Sequence, residues 1–231
     1  MRQTRNAGKR FQHERSFAMH NTNTMVKSMD AKGCLEKLKY VGVAAFATVD
    51  QAGNPQVRNI SAIHYEQDAL YFLTARGKNF CKELQKNRKV QILGYTKYKE
   101  MIRLSAQAEV APGAEQKKWT DIIFTEQPYL ANVYPGNTRE ICILFCIQDA
   151  EIEYFHMGVN PIFRGSYTIG NAGVSQKGYR ISEICTGCGV CADVCPQRCL
   201  ERGQPYLIKQ EHCLHCGNCF EHCPIKAICP R

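Results

Sequence analysis

Apolar and polar positions along residues 31–157 alternate in short runs that predict strands separated by a few helices. Turn residues bound the apolar runs, as in the segment Asp50–Pro55 that separates the first two strands. The predicted strands are residues 41–49, 56–65, 69–74, 89–95, 101–110 and 141–155, and the predicted helices are residues 31–40, 77–87 and 114–127. Successive strands joined by short turns predict a small β-barrel in an α+β fold.

A segment rich in Gly, Ser and Asn follows the last of these strands. It is interpreted as a connector laid over the barrel surface, with Ile162, Phe163, Tyr167 and Ile169 as its anchors. The predicted parts of the chain are a basic arm at residues 1–28, a barrel at residues 29–157, the connector at residues 158–178 and a cysteine-rich domain at residues 179–231.

The formal net charge of +9 is concentrated at the N-terminus. Residues 1–27 contain six Lys and Arg residues against one Glu. This arm is expected to be disordered, and the alternatives are a docking arm for an acidic partner or an organelle transit peptide. Because the rest of the chain is only mildly basic, no nucleic-acid partner is expected. Neither a membrane-length apolar stretch nor a signal peptide is present, which favours a cytoplasmic protein without a membrane partner.

The cysteines are the most unusual feature of the composition. Ten of the fourteen lie within residues 185–229. Such crowding occurs in secreted disulfide-rich domains, but no signal peptide accompanies it here. Metal ligation in a reducing compartment therefore accounts better for these cysteines.

Two runs within this region, Cys185–Pro196 and Cys213–Pro224, share the spacing C-x2-C-x2-C-x3-C-P. Bacterial ferredoxins use this spacing to hold two [4Fe–4S] clusters, and the fourth cysteine of each run binds the cluster of the other run. Gly189 and Gly217 allow the backbone to approach closely. The predicted ligands are Cys185, Cys188, Cys191 and Cys223 for the first cluster, and Cys213, Cys216, Cys219 and Cys195 for the second.

Zinc is the main alternative metal for these cysteines. Zinc sites use C-x2-C pairs closed by a second pair or by histidines, and do not require a triplet followed by Cys-Pro. The nearby His212, His215 and His222 are therefore interpreted as exposed surface residues. The cysteines outside the two runs are interpreted as packing residues, namely Cys34, Cys81, Cys142, Cys146, Cys199 and Cys229.

Residues 179–231 resemble the dicluster ferredoxin family over their whole length. The resemblance implies two [4Fe–4S] clusters that carry electrons one at a time at low potential. Two clusters in one small domain are typical of an electron relay rather than of a catalytic site.

Residues 30–157 resemble the FMN-binding split barrel of the pyridoxamine 5′-phosphate oxidase-like proteins. A Gly-x-Pro turn, the strands Val57–Ile60 and Leu70–Thr74, and Lys78 before a helix carry the resemblance. It implies bound FMN at the interface of a homodimer. The candidate FMN residues are Arg58, Thr74, Arg76, Lys78 and Asn79 at the phosphate, Asn59, Ile60 and Ser61 along the flavin ring, and Gln107 from the second subunit. The namesake enzyme's arginine-rich C-terminal segment has no counterpart here, which argues against pyridoxamine oxidation.

These features favour an iron–sulfur flavoprotein oxidoreductase of an anaerobic or microaerobic cell. A ferredoxin-like donor would supply single electrons, and the flavin would collect two of them for a small organic acceptor. His64 and His156 lie on predicted strands and are candidate proton donors. A carrier between redox proteins without a substrate of its own is the first alternative. A sensor or binding module, with haem or a deazaflavin in the barrel, is the second. No G-x-G-x-x-G or G-x-x-x-x-G-K-[ST] motif supports a nucleotide-binding domain.

Overall fold

The computed structural model describes residues 29–231, so the predictions for the basic arm lie outside the described residues. The helices are α1 (Ala31–Val41), α2 (Asn79–Asn87), α3 (Gly113–Glu126), α4 (Leu130–Val133), α5 (Val190–Asp193) and α6 (Asn218–Glu221), with 3₁₀ turns at Gly136–Ile141 and Gln210–His212. The strands of the N-terminal domain are β1 (Ala44–Val49), β2 (Pro55–Ile60), β3 (Ile63–Tyr65), β4 (Leu70–Ala75), β5 (Lys89–Tyr95), β6 (Glu100–Gln107), β7 (Glu109–Val110), β8 (Cys142–Ile147), β9 (Ala150–His156) and β10 (Phe163–Ile169). The C-terminal domain adds β11 (Tyr179–Ile181), β12 (Leu200–Glu201), β13 (Leu207–Ile208) and β14 (Ile228–Pro230).

Two antiparallel sheets form the N-terminal domain. The larger sheet has the strand order β10-β9-β6-β5-β1-β2, and the smaller has the order β3-β4-β8-β7. Three segments that were each predicted as one strand, residues 56–65, 101–110 and 141–155, are each divided into two strands. In all three, one half belongs to the larger sheet and the other half to the smaller. The single-strand predictions were wrong because these breaks are the corners at which the chain changes sheet, as happens where two sheets pack across each other.

An aromatic core lies between the two sheets. Phe46 of β1, Phe72 of β4 and Phe145 of β8 are fully buried, and the ring centroids of Phe46 and Phe72 are 4.9 Å apart. Phe80 from α2 packs edge-on against Phe46 at 6.0 Å. Full burial of each such side chain contributes about 1.5–3 kcal/mol to folding. Helix α2 therefore helps to close the core.

Part of the predicted connector is an integral strand of the larger sheet. Strand β10 pairs with β9 from Phe163 opposite His156 to Ile169 opposite Ala150. Ile162 and Ile169 are buried, while Phe163 and Tyr167 are half-buried against the core. The backbone of this segment is therefore held by ladder hydrogen bonds in addition to its apolar side chains.

The C-terminal domain is built from two similar halves related by a shift of 28 residues in sequence, as from Cys185 to Cys213. Strand β11 pairs with β14, and β12 pairs with β13. Gly189 and Gly217 occupy equivalent positions before α5 and α6, with φ angles of +84° and +83°. Left-handed backbone of this kind favours glycine, so both halves require it at the same place.

No helix in the part of the chain from residue 29 onward combines the length and the apolar character that crossing a membrane requires.

Candidate redox site

Two cavities in the C-terminal domain are lined by cysteine side chains from both halves. Cys185, Cys188, Cys191 and Cys223 line the first cavity. Cys195, Cys213, Cys216 and Cys219 line the second, together with the additional Cys199. In each cavity three cysteines come from one run and the fourth from the other run, which is the grouping that the spacing predicts. The assignment of these cysteines as ligands stays a prediction, and the shape of the two cavities supports it.

Backbone N–H groups point at the cysteine sulfurs around both cavities. The amide of Gly187 donates to Cys185 Sγ at 3.5 Å, and the equivalent amide of His215 donates to Cys213 Sγ at 3.4 Å. The amide of Ala227 donates to Cys223 Sγ at 3.2 Å. Such hydrogen bonds stabilise thiolates and tune the potentials of iron–sulfur clusters. The four predicted ligands in each cavity also give the Cys₄ donor set of a [4Fe–4S] cluster, so the residues fit that group.

The two glycines before α5 and α6 face tyrosine hydroxyls. A Cβ atom at Gly217 would lie 2.9 Å from the hydroxyl oxygen of Tyr179, and one at Gly189 would lie 3.4 Å from that of Tyr206. Both positions also have positive φ. Glycine is therefore required by backbone conformation at both positions and additionally by space at Gly217.

The cysteines that line the two cavities differ in their individual electrostatic surroundings. A hydrogen bond from Cys199, the His215 amide and nearby Arg164 lower the pKa of Cys213 to about 6. Burial instead raises the pKa of Cys219 to about 11 and also raises that of Cys191. The thiolate is the form that binds metal, so the surroundings of Cys213 already favour its ligating form.

The three nearby histidines do not share one environment. His222 is exposed, as predicted, whereas His212 and His215 are half-buried, so the prediction of exposure was wrong for these two. Both lie where the two domains meet, a position that sequence spacing does not reveal. Within residues 29–231, no group of three or more His, Cys, Asp or Glu side chains has the arrangement of a single-ion site.

The remaining cysteines serve packing. Cys34, Cys81, Cys146 and Cys199 are buried, and Cys142 and Cys229 are half-buried. Burial raises the pKa of Cys34 to about 12, so its thiol stays protonated and apolar at neutral pH.

Arg58 is held by protein groups on the inner side of β2. Its guanidinium donates to Glu83 Oε2 of α2 at 2.8 Å and to the hydroxyl of Thr48. The guanidinium carbon also lies 4.6 Å from the centroid of the Phe80 ring. The same side chain lines a cavity of about 560 Å³ together with Asn79. Arg58 thus reaches the neighbourhood of the α2 start, but its charge is already matched by Glu83.

The other phosphate candidates cluster where β4 leads into α2. Thr74 is buried near the end of β4, and Arg76, Lys78 and Asn79 are exposed. Lys78 is the N-cap of α2, no side chain caps this helix start, and the first turn contains no acidic residue. Helix N-termini carry partial positive charge and free N–H groups. The charges of Arg76 and Lys78 are repelled by the partial positive charge of this helix end, and a bound anion would offset that repulsion. The segment therefore suits a phosphate.

The candidates for the flavin ring are divided between two surfaces. Asn59 is exposed, Ile60 packs half-buried against the core, and the hydroxyls of Ser61 and Tyr129 are hydrogen-bonded. Gln107 ends β6 and lines a separate cavity of about 820 Å³ with Thr48. Within the described chain Gln107 is therefore not grouped with Arg58 and Asn79 around one cavity.

Both candidate proton donors are buried and hydrogen-bonded within the fold. His64 is buried, and its two ring nitrogens contact Glu126 and Glu66 at 2.8 Å each. His156 accepts from the Gly158 amide at 3.0 Å, and burial lowers its pKa. Their contacts are therefore with the fold itself, and their role as proton donors stays a prediction.

Several important residues were not found by sequence reasoning. Glu83 and Tyr129 contact the candidate FMN residues, but helix periodicity alone does not distinguish them from ordinary positions. Arg164 lies in the predicted connector and contacts His215 of the C-terminal domain, with 3.0 Å between Arg164 Nη1 and His215 Nδ1. Such pairings depend on tertiary structure and leave no local signal.

Hydrogen bonds join the C-terminal domain to Ile162, the residue that precedes β10. The amide of Ile162 donates to Gln197 Oε1 at 3.2 Å, and its carbonyl accepts from His212 Nδ1 at 2.8 Å. Lys177 forms an ion pair of 2.7 Å with Glu153 of β9. Gln197 and His212 both lie close in sequence to cysteines of the second cavity. The second cavity is therefore the one whose loops contact the N-terminal domain.

Comparisons with known families agree with this architecture. Residues 32–138 match the family model described as pyridoxamine 5′-phosphate oxidase, and residues 177–224 match the 4Fe–4S dicluster domain. The chain joins an oxidase-like split barrel to a dicluster domain. Both resemblances and the α+β fold class are thereby confirmed. The oxidase-like barrel and the dicluster domain together indicate a redox role based on iron–sulfur and flavin groups.

Solved structures match the oxidase-like barrel. A NimC/NimA family protein from Clostridium acetobutylicum is 23% identical, with a TM-score of 0.51, and the match covers 65% of this chain and 98% of that protein. A pyridoxamine 5′-phosphate oxidase-related, FMN-binding protein from Nostoc punctiforme is 14% identical, with a TM-score of 0.43 and coverages of 59% and 91%. A haem-binding protein from Mycobacterium smegmatis is 12% identical, with a TM-score of 0.48 and coverages of 59% and 56%. At these identities the likeness shows the fold alone. No curated protein matches the chain significantly.

Proposed function

We propose that this protein is an iron–sulfur flavoprotein oxidoreductase with two [4Fe–4S] clusters and one FMN per chain. It passes electrons between the clusters and the flavin and reduces or oxidises a small organic molecule. The observation that carries the proposal is the attachment of the domain with the two cysteine-lined cavities to the oxidase-like barrel, through hydrogen bonds at Ile162 and Arg164. Electron transfer needs a short and fixed separation between redox groups. The hydrogen bonds between the two domains fix the separation of the clusters from the barrel.

The residues of the chain have separable tasks in this proposal. Cys185, Cys188, Cys191 and Cys223 bind the first cluster, and Cys195, Cys213, Cys216 and Cys219 bind the second. Arg76, Lys78 and the free N–H groups at the start of α2 bind the FMN phosphate. The clusters supply one-electron transfer and the flavin supplies the conversion to two-electron chemistry.

The flavin site is proposed to be completed by a second copy of the chain. Gln107 lines a different cavity from Arg58 and Asn79, so one copy does not bring all the candidate residues together. A homodimer in which Gln107 reaches the partner's flavin would do so. A ferredoxin-like protein is the proposed electron donor.

Anaerobic purification and a steady-state assay test the proposed function. We expect about eight irons per chain, from two four-iron clusters, and one extractable FMN. Chemically reduced protein should be reoxidised by an enone, a nitro compound or a quinone with saturation and faster than free FMN. Reoxidation without saturation or selectivity among acceptors would favour the carrier instead. Extraction of haem or a deazaflavin in place of FMN would contradict the proposal.

Removing the cations at the start of α2 is expected to weaken FMN binding. Each of Arg76→Ala and Lys78→Ala should raise the Kd for FMN by about tenfold or more, because a charge-assisted hydrogen bond contributes about 1.5–3 kcal/mol. Fluorescence titration of deflavinated protein with FMN measures this Kd. Lys86→Ala, in the last turn of the same helix, is the matched control and should leave the Kd unchanged. Equal Kd values for all three variants would place the phosphate elsewhere.

A further inference from the structure

The two halves of the dicluster domain differ at one position beside the cysteines. Gly187 and His215 are equivalent in the 28-residue shift, and both have left-handed backbone, with φ angles of +73° and +58°. Both amides donate to the sulfur of the cysteine two residues earlier. Gly187 has no side chain there, whereas the His215 ring accepts a hydrogen bond from Arg164 of the barrel. The histidine therefore connects only the second cavity to a cation of the other domain.

Arg164 is a cation without a matching carboxylate among residues 29–231. It is half-buried, and its Nε atom is fully buried without a hydrogen-bond partner in this part of the chain. Its guanidinium carbon lies 4.9 Å from the centroid of the Phe155 ring. Its hydrogen bond to the His215 ring places this guanidinium beside the loop that carries Cys213.

A half-buried guanidinium of the barrel thus lies beside the loop that carries Cys213. Arg164 Nη1 is 3.0 Å from His215 Nδ1, and the amide of His215 is 3.4 Å from Cys213 Sγ. A [4Fe–4S] cluster with four thiolate ligands is an anion, and its reduction adds one further negative charge without making or breaking a bond. A nearby buried cation stabilises the reduced form more than the oxidised form, and low dielectric strengthens the effect. The cation should therefore raise the reduction potential of the cluster beside it.

We propose that Arg164 tunes the cluster held by Cys195, Cys213, Cys216 and Cys219, and makes it the cluster of higher reduction potential. Arg164 acts by its charge and is not a ligand, and the hydrogen bond to the His215 ring holds that charge beside the cluster. The His215 loop is the one that contacts the barrel. When the two clusters hold one electron between them, that electron therefore resides mainly on the second cluster, beside the barrel. The inference rests on the proposed function in requiring both clusters, and it adds the order in which electrons reach the barrel.

A redox titration of the full chain, followed by EPR, tests this role. The wild-type protein should show two one-electron steps at different potentials. In Arg164→Gln the midpoint potential of the upper step should fall by about 59 mV or more, which corresponds to a tenfold change in the ratio of reduced to oxidised cluster. The midpoint potential of the lower step should not change. Cys223→Ala, which lacks a ligand of the first cluster, should retain the upper step alone. Adding Arg164→Gln to Cys223→Ala should lower that remaining step.

Two further variants serve as controls. Arg180→Gln removes an exposed charge from the same domain and should move neither step, because water screens it. Arg164→Lys keeps the charge and should retain most of the wild-type separation. If the Arg164→Gln protein does not retain about eight irons, His215→Gly is used as the test variant instead. Glycine adopts the left-handed backbone conformation of residue 215 without strain. This variant should lower the upper step likewise.

The outcomes separate this inference from the function on which it rests. Unchanged steps in Arg164→Gln and His215→Gly, or movement of the lower step instead, would overturn the role of Arg164. A single wild-type potential for both clusters would also overturn it. Wild-type protein without iron and sulfide would instead refute the proposed function.

Discussion

Replacing Cys223 with alanine is expected to remove about four of about eight irons from the chain and to abolish one of the two cluster EPR signals. Cys223 belongs to the second run, but it lines the same cavity as Cys185, Cys188 and Cys191. The signal that is lost should therefore be the one lost in Cys188→Ala. Iron analysis and EPR of the dithionite-reduced variants measure both effects.

Cys229→Ala is the matched control for this experiment. Cys229 lies six residues further along, on β14, and lines neither cavity. Its replacement should leave about eight irons and both signals. The crossed assignment would be wrong if Cys223→Ala and Cys216→Ala lost the same signal, because Cys216 lines the other cavity.

Truncation of Phe72 to alanine is expected to destabilise the oxidase-like barrel by about 3–5 kcal/mol. Phe72 is fully buried, and its ring lies 4.9 Å from Phe46 and 5.6 Å from Phe145, measured between centroids. Removing it leaves a cavity at the point where β1, β4 and β8 meet. Urea unfolding followed by the fluorescence of Trp119, the single tryptophan and a residue of the barrel, measures the loss. With a slope of about 1–3 kcal/mol per molar urea, the midpoint should fall by about 1 M or more.

Tyr98→Ala is the control for this variant, since Tyr98 is 56% exposed in the turn between β5 and β6. Its replacement should move the midpoint only slightly. A similar midpoint for Phe72→Ala and the wild type would show that the aromatic core contributes far less than its burial indicates.

The strands of the barrel show which part of a fold can be predicted locally. Residues 89–95 alternate strictly between exposed and buried positions, and the predicted strand coincides with β5. Residues 141–155 were predicted as one long strand with a bend near Asp149, but β8 and β9, which meet there, belong to different sheets. Hydrophobic periodicity reports that a residue is half-buried, and it carries no information about which sheet buries it.

The candidate sites divide in the same way. The cysteine runs and the glycines at left-handed positions have fixed short spacings, and that spacing predicts their chemistry. The cations at the start of α2 were assigned to the phosphate from their charge and from the family resemblance. The ion pair between Arg58 and Glu83 joins a strand to a helix. Arg58 was placed at the phosphate from its charge and from the resemblance to the FMN-binding split barrel, and nothing near it along the chain indicates its contact with Glu83.

The sequence alone determined the two-domain organisation, the α+β class and the grouping of eight cysteines into two sets of four. Each of these depends on periodicity or on short fixed spacings. Only the tertiary structure decided which cysteine set faces the barrel, and that β10 carries Arg164 to the His215 loop. The pairing of distant segments depends on the packing of the whole core, and short-range patterns do not encode it.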